Sequence, residues 1–361
     1  MTDIISIATA VPQFCHQQDD ILHYMGDAFH LDDTEKRKLK FMYHQSGITK
    51  RYSVLPDFSS ISDENFFSST NNKKIEPTLE DRLKIYDESS LALSIHAIQK
   101  CISGFISEQE ITHLITVSCT GMTAPGLDIK LMEELGLNKN IFRTSVNFMG
   151  CYAAIHALKL ADMIAQGTPN ANIVIVAVEL CTLHFQTTMT EDNIASSLLF
   201  ADGCAAVLIS NKIHRMRKIR IDGFYAQIAI EGKSDMAWEL GSNGFQMRLS
   251  GYIPQLIEAD IESLLSGALE ERGITKESIQ HWCIHPGGKR ILDSIQRKLN
   301  LSPDTLDQSR AVLKEYGNMS SPTILFVLKN IFENKYQSNE NILGMAFGPG
   351  LTMETFTAHF V

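Results

Sequence analysis

Three features of the chain predict an α/β fold whose sheets are covered by helices. Short β-branched runs alternate with helical stretches, and several of those runs are apolar on both faces. Such strands need a cover on each side, and helices supply it. The third feature is composition: 361 residues with 44% hydrophobic and 20% charged side chains, enough to bury a sizeable core in one large domain or two fused halves. The same composition argues against disorder, collagen-like repeats and coiled coil.

In chain order, the strand-like runs are Ile111–Ser118, Ile173–Leu180, Cys204–Ser210, Ile219–Ile221, Ile279–Ile284, Ile342–Ala346 and Leu351–Phe356. Helical patterns occupy Leu91–Ile106, Tyr152–Gln166, Ile253–Glu271, Lys289–Leu299 and Ser321–Glu333. The most apolar stretch, Ile173 to Val178, is far too short to span a bilayer and reads as a buried strand. Asp57 to Pro77, rich in Ser, Asn and charge, and Glu231 to Gly244, mixing Gly, Ser and charge, read as surface loops. The basic cluster Lys212, Arg215, Arg217, Lys218 and Arg220 reads either as a solvated connection or as the join between two halves near residue 215. No internal repeat is visible.

Lys plus Arg number 32 and Asp plus Glu 42, a net charge of −10. An acidic chain is a poor general binder of nucleic acid or anionic membrane, although a local basic patch can still hold an anionic ligand. The seven cysteines are scattered and odd in number, which fits a reducing compartment better than a disulfide scaffold. Met1 to Phe14 carries Asp3 and no Lys or Arg, so it lacks the basic region of a signal peptide. The expectation is a soluble, cytoplasmic chain. No GxGxxG or P-loop pattern occurs, and a dinucleotide or nucleoside triphosphate site has no support.

The strongest chemical signal runs from Asn147 to Ala154. After Cys151 the pattern Ala153, Ala154, Ile155, Ala157, Leu158, Leu160, Ala161 is apolar nearly all round, hence a buried helix. Gly150 permits a sharp turn from the preceding strand, leaving Cys151 at the first turn of that helix. Unpaired N–H groups there favour thiolate over thiol, the logic of an activated nucleophile. A Cys among apolar residues is also, commonly, only a small core residue.

A nucleophilic Cys needs a base or a cationic partner. His285 stands out among twelve histidines: it follows Trp282-Cys283-Ile284 and precedes Pro286-Gly287-Gly288, at a strand's carboxyl end where α/β sheets place their sites. The bland reading is a hydrogen-bonded loop histidine. A metal reading of His281, Cys283 and His285 is unattractive, because side chains at i and i+2 on a strand lie about 7 Å apart, too wide for bonds near 2 Å. Asn318 precedes an apolar helix, as an N-cap or as an amide oxyanion donor. Ala346 to Thr352 is a Gly-Pro-Gly loop, either a plain turn or a close approach of backbone to a ligand.

Together these motifs resemble the chalcone and stilbene synthase family, the type III polyketide synthases. The carrying residues are Gly150-Cys151, His285-Pro286-Gly287-Gly288, Glu315-Tyr316-Gly317-Asn318-Met319-Ser320-Ser321 and Phe347-Gly348-Pro349-Gly350-Leu351-Thr352. Pro125-Gly126-Leu127-Asp128 and Phe200-Ala201-Asp202-Gly203 support them, and the similarity runs from about Ile7 to Phe356. The resemblance implies a thiolase-like fold, two similar halves (1–215 with the Cys, 216–361 with the His and Asn) in a five-layered αβαβα arrangement, and a homodimer. It also implies that Cys151 carries the acyl chain, that His285 pairs with it as imidazolium to lower the thiol pKa, and that His285 and Asn318 stabilise the enolate from malonyl-CoA. The substrates would be acyl-CoA and malonyl-CoA, with no metal, flavin or nicotinamide.

By the same resemblance Phe200 and Phe245 guard the coenzyme A tunnel, and Ser320 and Glu179 line the cavity behind the nucleophile. Phe347 and Gly348 belong to the loop beside it. Cys119 and His184 stand where plant chalcone synthases have Thr, and Ala124 stands where they have Met. Cys is a weak donor, which puts chalcone-type ring closure in doubt, and His184 is expected to reshape the cavity. Lys38 matches one phosphate-contacting Lys, whereas Phe41 and Gln45 occupy two other basic positions. Lys36, Arg37, Lys38 and Lys40 still form a basic run. The alternative is an initiating ketoacyl synthase that performs a single condensation with an acyl carrier protein.

Overall fold

The computed structural model describes residues 2–59, 65–67, 69–70, 73–74 and 76–361. Its N-terminal half begins with β1 (Asp3–Ala10), β2 (Phe14–Gln17), α1 (Gln18–Ala28), α2 (Asp33–Gln45), β3 (Lys50–Ser53), β4 (Ser69–Thr70), β5 (Lys73–Lys74) and α3 (Leu79–Ile102). It continues through β6 (His113–Ser118), α4 (Leu127–Glu134), β7 (Phe142–Asn147), α5 (Ala153–Gly167), β8 (Asn172–Leu180), α6 (Glu191–Leu199) and β9 (Asp202–Ser210). The C-terminal half comprises β10 (Ile219–Ile228), β11 (Met236–Gly241), β12 (Gly244–Leu249), α7 (Ile253–Glu270) and β13 (Ile279–Ile284). It closes with α8 (Lys289–Lys298), α9 (Asp307–Tyr316), α10 (Thr323–Glu333), β14 (Asn341–Gly348) and β15 (Thr352–Phe360).

The main sheet has nine strands in the order β13-β14-β15-β10-β1-β9-β8-β6-β7. The two halves repeat one another. In each, a parallel pair (β6 with β8, β13 with β14) is followed by two antiparallel pairings that end on the first strand of that half. Within the sheet β1 and β10 join them through two residue pairs, Asp3 with Arg220 and Ile4 with Ile219, and the sheet wraps around α5 and α10 there. α5 touches β6 and β8 on one side and β10 and β15 on the other. α3 covers the outer face of the first half and α7 that of the second, giving five layers.

Side-chain alternation explains why. Along β8, Ile173, Ile175 and Ala177 join the central core, while Val174, Val176, Val178 and Leu180 join the core under α3. Both faces are buried, as the continuous apolar run requires. α5 carries Ala153, Ala154, Ala157, Ala161 and Ala165 inward, and such small side chains let it sit between two sheet faces.

Several readings of the sequence are corrected here. Segment 231–244 contains β11, whose partner β12 follows at once: Met236 pairs with Leu249 and Leu240 with Phe245. The Gly, Ser and charge that marked a loop belong largely to the hairpin turn and its solvent side. Of 57–77, the described part holds a short helical turn at Asp57–Ser59 and the β4–β5 pair; the remainder lies outside the described residues. The basic cluster near 215 is not simply solvated: Lys218 and Arg220 both bind Asp3, at 2.6 and 2.8 Å, Arg215 donates to the Ile5 carbonyl, and Arg217 holds the end of α10. β1, α1, α2 and β7 carried no assignment from pattern alone. Among the described residues, no helix is long and apolar enough to cross a membrane.

Candidate active site

Cys151 stands between β7 and α5, one residue before the α5 N-cap Tyr152, and is buried. The chain reaches it through Phe148 (φ 57°) and Gly150 (φ 84°). A Cβ on Gly150 would lie 2.3 Å from Pro349 Cδ, and one on Gly348 would lie 2.6 Å from Tyr152 Cδ1. The Gly-Pro-Gly loop is thus pressed against the cysteine turn, and the two glycine motifs explain each other.

The Cys151 thiol donates to Ser320 Oγ at 3.5 Å. Ser320 N–H in turn donates to Asn318 Oδ1 at 2.8 Å, which turns the Asn318 amide N–H₂ the other way, toward the Gly287 carbonyl at 3.3 Å. The Asn318 backbone is clamped on both sides: its N–H donates to Leu199 O and its carbonyl accepts from Ala201 N–H, each at 2.9 Å. Asn318 therefore sits at a junction of the cysteine turn, the turn after β13 and the segment bearing Phe200. His285 continues the β13–β14 pairing through its N–H to Met345 O. Its ring is enclosed, and among the described residues neither ring nitrogen has a hydrogen-bond partner.

Burial pushes the Cys151 thiol up to about 11, opposed by its contacts with Ser320 and Asn318. Burial also pushes His285 down to about 3. Among the described residues no hydrogen bond joins the two side chains, and burial of each penalises its charged form, the thiolate and the imidazolium alike.

A mainly apolar cavity opens from Cys151. Ser320, Cys119, Phe200, Phe245 and His184 line it, with Cys181, Trp238, Met236, Ile21 and Met25 farther round. Glu179, Phe347 and Gly348 stand behind the wall rather than in it. Glu179 is fully enclosed and accepts from Cys119 N–H (2.9 Å), Thr120 Oγ1 (2.8 Å) and Ser321 Oγ (2.8 Å). Burial raises its pKa to about 7 against these bonds. It anchors the segment whose Cys119 sulfur accepts the Gly150 N–H at 3.1 Å, so it supports the nucleophile's turn from beneath.

His184 has a structural task that the pattern did not reveal. Nε2 donates to Thr120 O at 2.7 Å, Nδ1 accepts Phe245 N–H at 3.1 Å, and the ring stacks on Phe245 at 4.3 Å. A lone pair that accepts a backbone N–H fixes the neutral tautomer, in keeping with a pKa lowered by burial to about 3. Trp238 completes the wall, its indole N–H donating to Cys119 O at 2.7 Å. The sequence gives Trp238 no mark of its own, because it stands on β11 within a segment of loop-like composition. Arg51 also gave no signal, yet it donates to the Phe200 carbonyl at 2.6 Å and fixes that residue.

Lys38 is remote from Cys151. It lies on α2 beside a shallow outer hollow with Arg37, Phe41 and Met42. Of the residues in the metal reading, His281 pairs with Glu340 and Cys283 contacts the Ile324 carbonyl. Among the described residues, no group of three His, Cys, Asp or Glu is placed to hold a metal ion.

This site, on a two-half five-layered scaffold, defines a condensing enzyme. The family model for the N-terminal domain of chalcone and stilbene synthases matches residues 1–212, and that for the C-terminal domain matches residues 224–361. The chain belongs to the chalcone and stilbene synthase family, and its fold is thiolase-like. It is 28% identical over 358 residues to the alpha-pyrone synthesis polyketide synthase-like Pks18 of Mycobacterium tuberculosis, covering 97% of this chain and 89% of that one. Among solved structures, PKS-I from the brown alga Ectocarpus siliculosus superposes with a TM-score of 0.92 at 27% identity, covering 100% and 98% of the two chains. The C-terminal type III polyketide synthase domain of Steely1 from Dictyostelium gives 0.90 at 28% identity, covering 99% of each.

Proposed function

We propose that this chain is a type III polyketide synthase that loads an acyl-CoA starter on Cys151, extends it with malonyl-CoA and releases an α-pyrone. Its two halves, 1–215 and 216–361, would supply the nucleophile and the His–Asn pair respectively, in a homodimer. The observation that carries the mechanism is Asn318: its amide N–H₂ is oriented by Ser320 and its backbone is clamped at Leu199 and Ala201. A donor so held needs no reorganisation as charge develops near it.

Loading forms a bond from Cys151 sulfur to the acyl carbon and breaks the bond from that carbon to coenzyme A sulfur. The thiol proton passes to a free nitrogen of His285 and then to the departing coenzyme A. When malonyl-CoA follows, its bond to CO₂ breaks and the electron pair enters an enolate. The enolate oxygen accepts hydrogen bonds from Asn318 and from the N–H of neutral His285. The enolate carbon then attacks the acyl carbonyl, a carbon–carbon bond forms, and Cys151 leaves as thiolate to be acylated again. Every electron pair is accounted for by CO₂ loss and thioester cleavage, so the balance calls for no oxidant or reductant.

Lactone closure is favoured because Cys119 is a weak donor whose sulfur already accepts the Gly150 N–H. The name of the similar Pks18 supports it. Two variants test the roles. Asn318→Ala should slow CO₂ release from malonyl-CoA by roughly 10²-fold, and unchanged release would sink the oxyanion assignment. Cys151→Ala should lose acyl loading and polyketide while still releasing CO₂. Polyketide from that variant would overturn the nucleophile.

A further inference from the structure

An outer hollow lies on the far side of the segment that carries Phe200. Its walls come from α2 (Phe41, Gln45), from α6 (Leu198, Leu199) and from the turn into α8 (Gly287 to Ile291). Its inner end is made by two residues that hold Asn318: Leu199 accepts the Asn318 N–H and Gly287 accepts its amide. Resting on the acyl-CoA reading above, a thioester that reaches Asn318 through this hollow leaves its nucleotide at the outer rim.

That nucleotide carries several negative charges, and the protein is itself at −10, so the rim must present local cations. α2 is poor in them where the resemblance expects them: Phe41, 68% exposed, and Gln45 hold the two positions. The opposite wall is not. Lys289 and Arg290 open α8, both are exposed, and no acidic residue lines the hollow. Lys289 is partly neutralised by Asp293 at 3.1 Å and its stem rests on Gly47. Arg290 has no hydrogen-bond or ion-pair partner among the described residues.

We propose that Arg290 is the principal phosphate anchor for coenzyme A thioesters in this chain, with Lys38 standing beside the adjoining hollow that shares Phe41 and Met42. The principal cationic contact thereby lies at the start of α8, on the wall opposite α2. Guanidinium suits the task, since its fork of donors matches phosphate oxygens and it cannot lose its charge.

The test is equilibrium binding of free coenzyme A to the full chain, followed by turnover with paired thioesters. Arg290→Ala should weaken coenzyme A binding about five- to ten-fold, and Arg290→Lys should recover most of the loss while Arg290→Glu deepens it. Added salt should weaken wild-type binding more steeply than binding to Arg290→Ala. In turnover, the ratio of kcat/KM for an acyl-CoA to that for the same acyl N-acetylcysteamine thioester, which has no phosphate, should fall by the same factor. Unchanged coenzyme A affinity, or an equal loss on both thioesters, would overturn the anchor. A chain that binds coenzyme A through Arg290 yet makes no polyketide would refute the proposed function alone.

Discussion

Replacing Gly348 by alanine adds one methyl group where the Gly-Pro-Gly loop meets the nucleophile's turn. The backbone there is extended (φ −166°) and tolerates any residue, so the whole effect comes from space. The new carbon would stand 2.6 Å from Tyr152 Cδ1, 3.1 Å from Cε1 and 3.3 Å from Cys151 N. Ordinary carbon contacts lie near 3.5–4.0 Å, so ring or loop must retreat by roughly 1 Å. Tyr152 is buried in the central core and caps α5, which leaves it little room to move. Overpacking of this kind costs about 1–3 kcal/mol. A displacement near 1 Å at a reacting group costs on the order of 10²-fold in rate. Urea unfolding would read the first effect, and the rate of acyl-adduct formation by intact mass the second. Gly167→Ala, with nothing within 4 Å of the added carbon, serves as a control on the same helix, with a stability change within about 0.5 kcal/mol. Wild-type stability and loading in Gly348→Ala would refute the claim that these two loops define the position of Cys151.

Other perturbations address the groups behind the cavity. Burial raises the Glu179 pKa to about 7 in the fold, from about 4.5 for an ordinary glutamate. Between those values the folded state binds more protons than the unfolded one, so stability should fall as pH rises from about 4.5 to 7. Glu179→Gln should flatten that slope in thermal melts, and an unaltered slope would clear Glu179 of the effect. His184→Ala should strand the Thr120 carbonyl and the Phe245 N–H, at about 1–3 kcal/mol each. A variant melting at the wild-type temperature would show that the stack and its two bonds contribute nothing.

Much of the site was legible because each motif marks a change of local pattern. Cys151, His285 and Asn318 all stand where a strand or turn gives way to a helix, and a glycine lies within two residues of each. The repeat of the halves was invisible because it lives in strand order and packing, not in residue identity. β1 is apolar on both faces, with Ile4 and Ile7 in the central core and Ile5, Ala8 and Ala10 under α3, yet its short pattern, broken by Ser6 and Thr9, does not mark it as a core strand. Its neighbours β9 and β10 are far along the chain, and nothing local announces a central strand. The β11–β12 hairpin was hidden by a composition that its solvent-facing side required. Roles set by distant partners were the hardest to read. His184 looked like a bulkier cavity residue, whereas its two backbone bonds, to Thr120 and Phe245, make it a brace. Glu179 read as cavity lining, yet it faces the Cys119–Thr120 segment and Ser321 from behind.

The most direct measurement is intact-protein mass after incubation with a panel of acyl-CoAs, run on wild type and on Cys151→Ala with the adduct mapped to its residue. The expected result is a single acyl group on wild type, at Cys151, absent from the variant and converted to ketide product when malonyl-CoA is added. An adduct that persists in Cys151→Ala, or one mapped to Cys119, would contradict the assignment of Cys151 as the residue on which the chain is built.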